Sequence, residues 1–223
     1  MNGPSAPSSP VGVRRLDQSD ADRIGEMLAR AFAADPTSAW LFPQAASRAA
    51  KLSRWYRLTA RILLATGEGW GTEDLSSAAL WLSMGAGAVG HARGRAGDLL
   101  RWNLRAVALM GRRLPSAAWT TARVHQLHPR GPAWYLAVLG TEPARQGQGL
   151  GSAVLAPVLE RCDRTGVQAY LDTVTGSDVR FYEGRGFRVV AELSPARAPH
   201  FWVMRRPPLP EPPRPEPGAA AHS

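Results

Sequence analysis

The sequence predicts one α/β domain of the α+β type: a central mixed, mostly antiparallel sheet of six or seven strands with helices on both faces. Three observations carry this. Seven short runs have strand character, apolar residues recur at helical spacing between them, and residues 133–174 read as strand, glycine-rich loop, helix and strand. A chain of 223 residues, 44% of them hydrophobic, is long enough to bury one sizeable core.

The elements follow in order. "VGVRRL" is a short strand. Ser19 or Asp20 is expected to cap a helix whose apolar positions are Ile24, Met27, Leu28, Ala31 and Phe32, and Pro36 to stop it. Residues 47–64 repeat the pattern through Leu52, Trp55, Tyr56, Thr59, Ile62 and Leu63, and Phe32 and Trp55 are stripe residues of a kind that more often face the core than a pocket wall. "EGWGTE" and "SAALWLSM" form two strands of a meander, and helices are expected over 97–110 and 115–126. "AWYLAVLG" is nearly all apolar, as in a strand buried on both faces. Trp134 and Tyr135 stand there on opposite faces, so at least one belongs to the core and the other is free to border a pocket. Leu150, Val154, Leu155, Val158, Leu159 and Cys162 make the next helical stripe, with Pro157 inside it and Gly166 at its end. "VQAYLDTV", a short helix near "SDVRFYEG", and strands "FRVVAEL" and "HFWVMRR" complete the domain. Residues 1–10 and 207–223, rich in Pro, Ser, Gly and Ala, read as tails, leaving 11–206 as the single domain.

Composition excludes several classes. No apolar run is long enough to span a bilayer, and the first residues lack a signal-peptide pattern, so a cytoplasmic protein without a membrane partner is expected. Cys162 is the only cysteine, which rules out an internal disulfide. The net charge of +9 comes from arginines spread along the chain, Lys51 being the only lysine. Without a dense basic run or interleaved aromatics, nucleic acid is not the expected partner. His91, His125 and His128 lack metal-ligand spacing, so no metal is expected.

The chemistry concentrates in "TEPARQGQGLGSAVL". Gly147, Gly149 and Gly151 let the backbone approach an anion, and the loop opens a helix whose first N–H groups and dipole favour negative charge. The loop is therefore expected to hold phosphate through Arg145, Gln146, Gly147, Gln148, Gly149, Leu150, Gly151 and Ser152. A P-loop would need a lysine that is absent. A dinucleotide fingerprint would need glycine at position 152, although Asp172 stands where its ribose-binding acid would be.

Gln146-Gly147-Gln148-Gly149-Leu150-Gly151 fits Q/R-x-x-G-x-G/A, and "RFYEGRGF" (180–187) resembles a downstream "FYERLGF". In that order, with a strand between them, the two resemble the GNAT acetyltransferase superfamily. "HPRGPAWYLAVLGTEPARQGQGLGSAVLAPVLE" and "AFAADP" are similar to its puromycin N-acetyltransferase branch. The likeness is close over 128–187 and looser over 11–127.

The resemblance implies acetyl transfer from acetyl-coenzyme A (acetyl-CoA) to a primary amine of a small molecule, an aminonucleoside antibiotic being one possible acceptor. Peptide amines, or a non-catalytic acyl-CoA binding module, are the alternatives, and monomer and homodimer both fit. Leu139, Gly140 and Thr141 would offer backbone groups to the pantetheine arm by strand addition. Tyr182 would protonate the leaving thiolate, or only pack. Glu142 is a candidate base or a solvated turn residue. Asp172 is a candidate base, a substrate anchor or a structural carboxylate. Arg145 is a phosphate contact or a surface arginine. Asp178 departs from the family, which often has asparagine there, so no cofactor contact is carried over to it.

Overall fold

The structure, a computed structural model, describes residues 12–84, 110–128, 131–196 and 198–209. Its seven strands form one sheet in the order β1-β2-β3-β4-β5-β7-β6. They are β1 (Val13–Arg15), β2 (Glu68–Thr72), β3 (Ser77–Met84), β4 (Ala133–Thr141), β5 (Gln168–Thr173), β6 (Arg188–Leu193) and β7 (Phe201–Arg206). Only β4 and β5 run parallel; every other pair is antiparallel. The described helices are α1 (Ala21–Ala31), α2 (Pro36–Leu41), α3 (Ala45–Thr66), α4 (Leu114–Leu127), α5 (Leu150–Thr165) and α6 (Gly176–Glu183). The helix expected over 97–110 lies outside the described residues except for Met110, as do the tail residues 1–10 and 210–223.

Strand alternation divides the core between the two faces. On β3, Ala78 and Leu80 meet Ile24, Met27 and Leu28 of α1 and Ala60 and Leu63 of α3. Ala79 and Trp81 point the other way, to the stripe Val154, Leu155, Val158 and Cys162 of α5. The strand buried on both faces is therefore β3. The expectation that β4 is so buried is corrected: of its residues only Ala133, Leu136 and Gly140 are fully buried. Gly25 lets α1 and α3 approach closely, since a Cβ there would lie 2.4 Å from the Arg57 Cα. On the same face α4 covers the far half of the sheet, where Val124 packs on Phe201 and Val203.

Two local expectations are also corrected. Asp20 does stand at the N-cap position of α1, but its side chain bonds no amide of that helix, and the side-chain cap belongs to the turn before it. The Asp17 side chain accepts the Ser19 N–H at 2.7 Å, and Asp20 returns the bond by accepting the Asp17 N–H at 3.0 Å. Pro36 does not end α1, which stops at Ala31; it stands at the start of α2, where its missing N–H costs nothing, behind the N-cap Asp35. The Pro-rich run begins on the body of the protein, because the Leu209 N–H donates to Asp163 at 2.8 Å.

Ion pairs tie α5 to both halves of the sheet. Buried Arg206 on β7 makes a two-pronged pair with Asp163 at 2.7 Å. Glu68 on β2, 8% exposed, takes two bonds from Arg161 at 2.7 and 2.8 Å and one from the Trp70 indole at 2.6 Å. Arg161 also lies over the Trp134 ring, so Trp134 belongs to the core side. Burial alone would raise the Glu68 pKa, but these donors outweigh it and hold the carboxyl below its ordinary range. A depressed folded-state pKa stabilises the fold above the unfolded value of about 4.3, and the contribution disappears as pH falls through the folded one. Glu68→Gln is therefore expected to cost about 1–3 kcal/mol at pH 7. The gap to wild type should shrink towards pH 3, which urea unfolding at the two pH values would read.

Candidate active site

The site begins at a break in the sheet. Leu80 of β3 pairs with Val138 of β4, yet its neighbour Trp81 pairs with Leu136, so Ala137 is an extra residue. Such a bulge bends its strand and ends pairing locally. On the other side β4 pairs with β5 only from Ala133 to Leu136. Beyond that point the two strands part, and a cleft of about 810 Å³ opens between residues 136–141 and 172–175. It passes through the sheet, with Phe32, Asp35 and Tyr56 lining it from the α1–α3 side and Gly149–Ser152 and Phe181 from the α5 side.

At the α5 end, a short turn over Pro143–Arg145 leads into the glycine loop. Gly147 and Gly149 have φ of +76° and +79°, a left-handed backbone that other residues adopt only with strain. Gly149 is the N-cap of α5 and offers no side chain to close its first turn. Among the described residues, the N–H groups of Gly147 through Ser152 have no acceptor; the first bonded amide is Ala153, donating to Gly149 O. Of this run, Gly147 and Gly149–Ser152 line the cleft.

The residues expected to bind phosphate gather here, each in a definite setting. Gln146 donates to the Thr141 carbonyl, and Arg145 bridges Gln148 at 2.8 Å and Asp74 at 3.0 Å. Leu150 points into the core, so only its backbone is available. The sequence reading missed Arg185. Its guanidinium stacks on Phe181, 3.5 Å from the ring centroid, and donates to the Ser152 hydroxyl and the Phe181 carbonyl. No carboxylate pairs with Arg185 among the described residues, its Nε is buried without a partner, and burial lowers its pKa. A cation that no acid compensates thus stands beside free helix amides, an arrangement that favours an anion. The available signal was its position in "RFYEGRGF", where the related pattern has leucine.

Tyr182 sits where the two sides of the cleft meet. It is 8% exposed, held edge-on between Phe181 and Phe187, and its hydroxyl has no hydrogen-bond partner among the described residues. Burial, with Asp178 and Asp172 adding to it, pushes its pKa up, so the phenol stays protonated. Asp172 lines the cleft from β5; its Oδ1 accepts from the Tyr135 hydroxyl at 2.9 Å and lies 3.3 Å from His128 Nε2. Its other oxygen makes no bond among the described residues. Tyr135 thus serves as the support of a cleft carboxylate. His128, read only as lacking metal spacing, packs on Tyr135 and Tyr170 behind the same group. Glu142 is not brought to the cleft; three bonds of 2.8 to 3.0 Å tie it to Arg30 of α1.

The opposite end of the cleft was not read from the sequence. Phe32, assigned to the core stripe, is half-buried and stacks on Tyr56 with centroids 5.1 Å apart. Asp35 joins them across the start of α2. Asp178 lines the wall near Tyr182 and accepts from the Thr173 hydroxyl at 3.1 Å.

Residues 88–187 match the model of the acetyltransferase (GNAT) family. Solved structures share the architecture. One from Corynebacterium glutamicum ATCC 13032, described as a histone acetyltransferase HPA2 and related acetyltransferase, superposes with a TM-score of 0.68 at 23% identity, over 91% of this chain and 99% of that one. A mosquito arylalkylamine N-acetyltransferase-like 5b gives 0.56 at 13% identity, over 88% and 99%. A Drosophila melanogaster polyamine N-acetyltransferase gives 0.51 at 17% identity, over 88% and 99%. The fold is the GNAT fold, and residues 88–187 are similar to a family whose enzymes take acetyl-CoA as acetyl donor. Among the described residues no helix is long and apolar enough to cross a membrane.

Cys162 stands apart from this chemistry. It lies on the buried stripe of α5, and burial raises its thiol pKa to about 11. A disulfide reagent at pH 8 is expected to leave the native protein unmodified and to titrate one thiol after denaturation in guanidinium. A rapid reaction of the folded protein would contradict that burial.

Proposed function

We propose that this GNAT-fold domain moves an acetyl group from acetyl-CoA directly to a primary amine of a small molecule. The observation that carries the reading is a pair of adjacent backbone features: the free amides of Gly147–Ser152 and the edge of β4 left unpaired beyond Leu136. The first suits a diphosphate and the second an extended amide-bearing arm, which together describe coenzyme A.

On this reading the amides and Arg185 hold the diphosphate. Arg145 is a weaker contributor, because Asp74 already shares its charge. Leu139, Gly140 and Thr141 carry the arm along β4 and set the thioester carbonyl against backbone N–H groups that stabilise its developing negative charge. The amine arrives from the α1–α3 side. Asp172, fixed by Tyr135, takes the ammonium proton through its free oxygen, directly or through water. The nitrogen bonds to the acetyl carbon as the carbon–sulfur bond breaks, Tyr182 gives its proton to the departing thiolate, and the second proton shed by the new amide nitrogen restores the phenol, directly or through water. A phenol kept protonated by burial is suited to that step. Glu142 has no part in it.

The acceptor class rests on the cleft and on sequence resemblance; an aminonucleoside antibiotic is one candidate within it. Thiol release from acetyl-CoA with a panel of small amines, aminonucleosides and peptides tests the reading. Small amines are expected to react and peptides not. Tyr182→Phe should lower kcat by about 10²- to 10⁴-fold while leaving coenzyme A affinity in place. Arg185→Ala should do the reverse, weakening coenzyme A binding by about 10- to 100-fold in calorimetry. Binding of acetyl-CoA with no turnover of any amine would overturn the proposal in favour of a non-catalytic module.

A further inference from the structure

The two ends of the cleft carry opposite charge. Arg145, Arg185 and the start of α5 stand at one end. Asp35, Asp172 and Asp178 line the rest. Among the described residues, no arginine or lysine pairs with any of these three carboxylates; the groups nearest Asp172 are a tyrosine hydroxyl and the imidazole of His128. Carboxylates that share a cleft without a counter-ion repel one another, and a cationic ligand removes that repulsion. A single ammonium accounts for Asp172. It leaves Asp35 unexplained.

Asp35 has a structural task, since one of its oxygens accepts the Thr37 N–H at 2.7 Å as the N-cap of α2. Capping does not require a carboxylate held inside a cleft. The capping carboxylate of Asp17, on the surface, has its pKa held low, first by the Ser19 hydroxyl and amide. That of Asp35 is pushed up, first by burial, and the charge of Asp178 adds to the rise. Above Asp35 the stacked rings of Phe32 and Tyr56 wall the cleft, and an aromatic face beside a carboxylate is a setting that holds organic cations. Asp35 reaches the cleft from the α1–α2 side and Asp172 from β5. Two positive groups bound to them must therefore be joined by a spacer.

We infer that the acceptor is a dication: its reacting amine meets Asp172 and Tyr182, while a second ammonium, amidinium or guanidinium group, at the far end of an apolar spacer, is held by Asp35 against Phe32 and Tyr56. This deepens the acetyl-transfer reading and rests on it. The remote cation leaves the reaction unchanged; it positions the amine and selects against singly charged acceptors.

The test compares linear diamines with monoamines of the same chain length, in thiol release and in calorimetric binding to the coenzyme A complex. Wild type is expected to favour the best diamine by about 10- to 100-fold in kcat/KM, mostly through KM. Asp35→Asn keeps a good N-cap and should bring the diamine-to-monoamine ratio close to one. Its melting temperature reports whether α2 is intact, and Asp35→Ser, another good cap, serves if the asparagine variant does not fold. Equal treatment of diamines and monoamines by wild type, or an equal loss of both in the variant, overturns the inference while acetyl transfer stands. If no amine turns over, binding decides: diamine affinity lost with the Asp35 carboxylate supports the subsite even as the catalytic reading fails, and affinity indifferent to it sinks both.

Discussion

Everything at this site depends on one surplus residue in β4. Ala137 has no partner on β3, and after it the strand leaves β5. An unpaired strand edge inside a fold is costly unless something satisfies it, because each buried N–H or C=O without a partner forfeits a hydrogen bond. The fold accepts that cost in the middle of its sheet, between its only parallel pair, and secures both sides of the gap. On one side β3 remains bonded to β4 through to Thr141, and Ser77 adds side-chain bonds to the Gly140 carbonyl and the Thr141 hydroxyl. On the other, β5 is bonded to β7 through Thr173. The gap is therefore rigid, and the groups around it are positioned before any ligand arrives. Gly140 belongs to the same construction: a Cβ there would meet Leu28 at 2.5 Å, so the missing side chain is what lets α1 lie against the bent strand.

From this slot follows the division of labour between the two faces. The α5 face supplies backbone donors and arginine, whereas the α1–α3 face supplies aromatic rings and a carboxylate. Tyr182 can serve both because α6 places it at the junction. Its ring is locked between two phenylalanines, while its hydroxyl is spent on no partner among the described residues. A hydroxyl that lines a cleft and is left open is free to act on what the cleft binds.

The legible parts of this site were local in sequence. The glycine loop and the "FYEGRGF" run keep their chemistry within a few residues, so spacing alone exposes them. The strand count, the strand–loop–helix–strand unit and the α5 stripe were legible because periodicity reports burial. That same logic misread β4: an apolar strand bordering a cleft has the composition of one sealed in a core, since pattern does not tell a ligand from a packed neighbour. The α1–α3 end of the cleft was invisible for another reason. Phe32, Asp35 and Tyr56 come from α1, the start of α2 and α3, and only tertiary packing brings them together. Glu142 was adjacent to the loop in sequence and yet unavailable, because Arg30, 112 residues away along the chain, claims it.

Asp178 shows how a departure from a family pattern can be read physically. Where asparagine would offer both donor and acceptor to a cofactor, aspartate only accepts, and its charge would repel a phosphate. The structure places it beside Thr173, from whose hydroxyl it accepts, and near enough to Asp35 and Tyr182 to raise the pKa of each. Its charge therefore acts on the part of the cleft that holds Asp35 and Tyr182. A substitution that weakens one end of a cleft for anions strengthens the other for cations. The charge separation that follows would orient a positively charged acceptor and a polyanionic donor in opposite senses across the same opening.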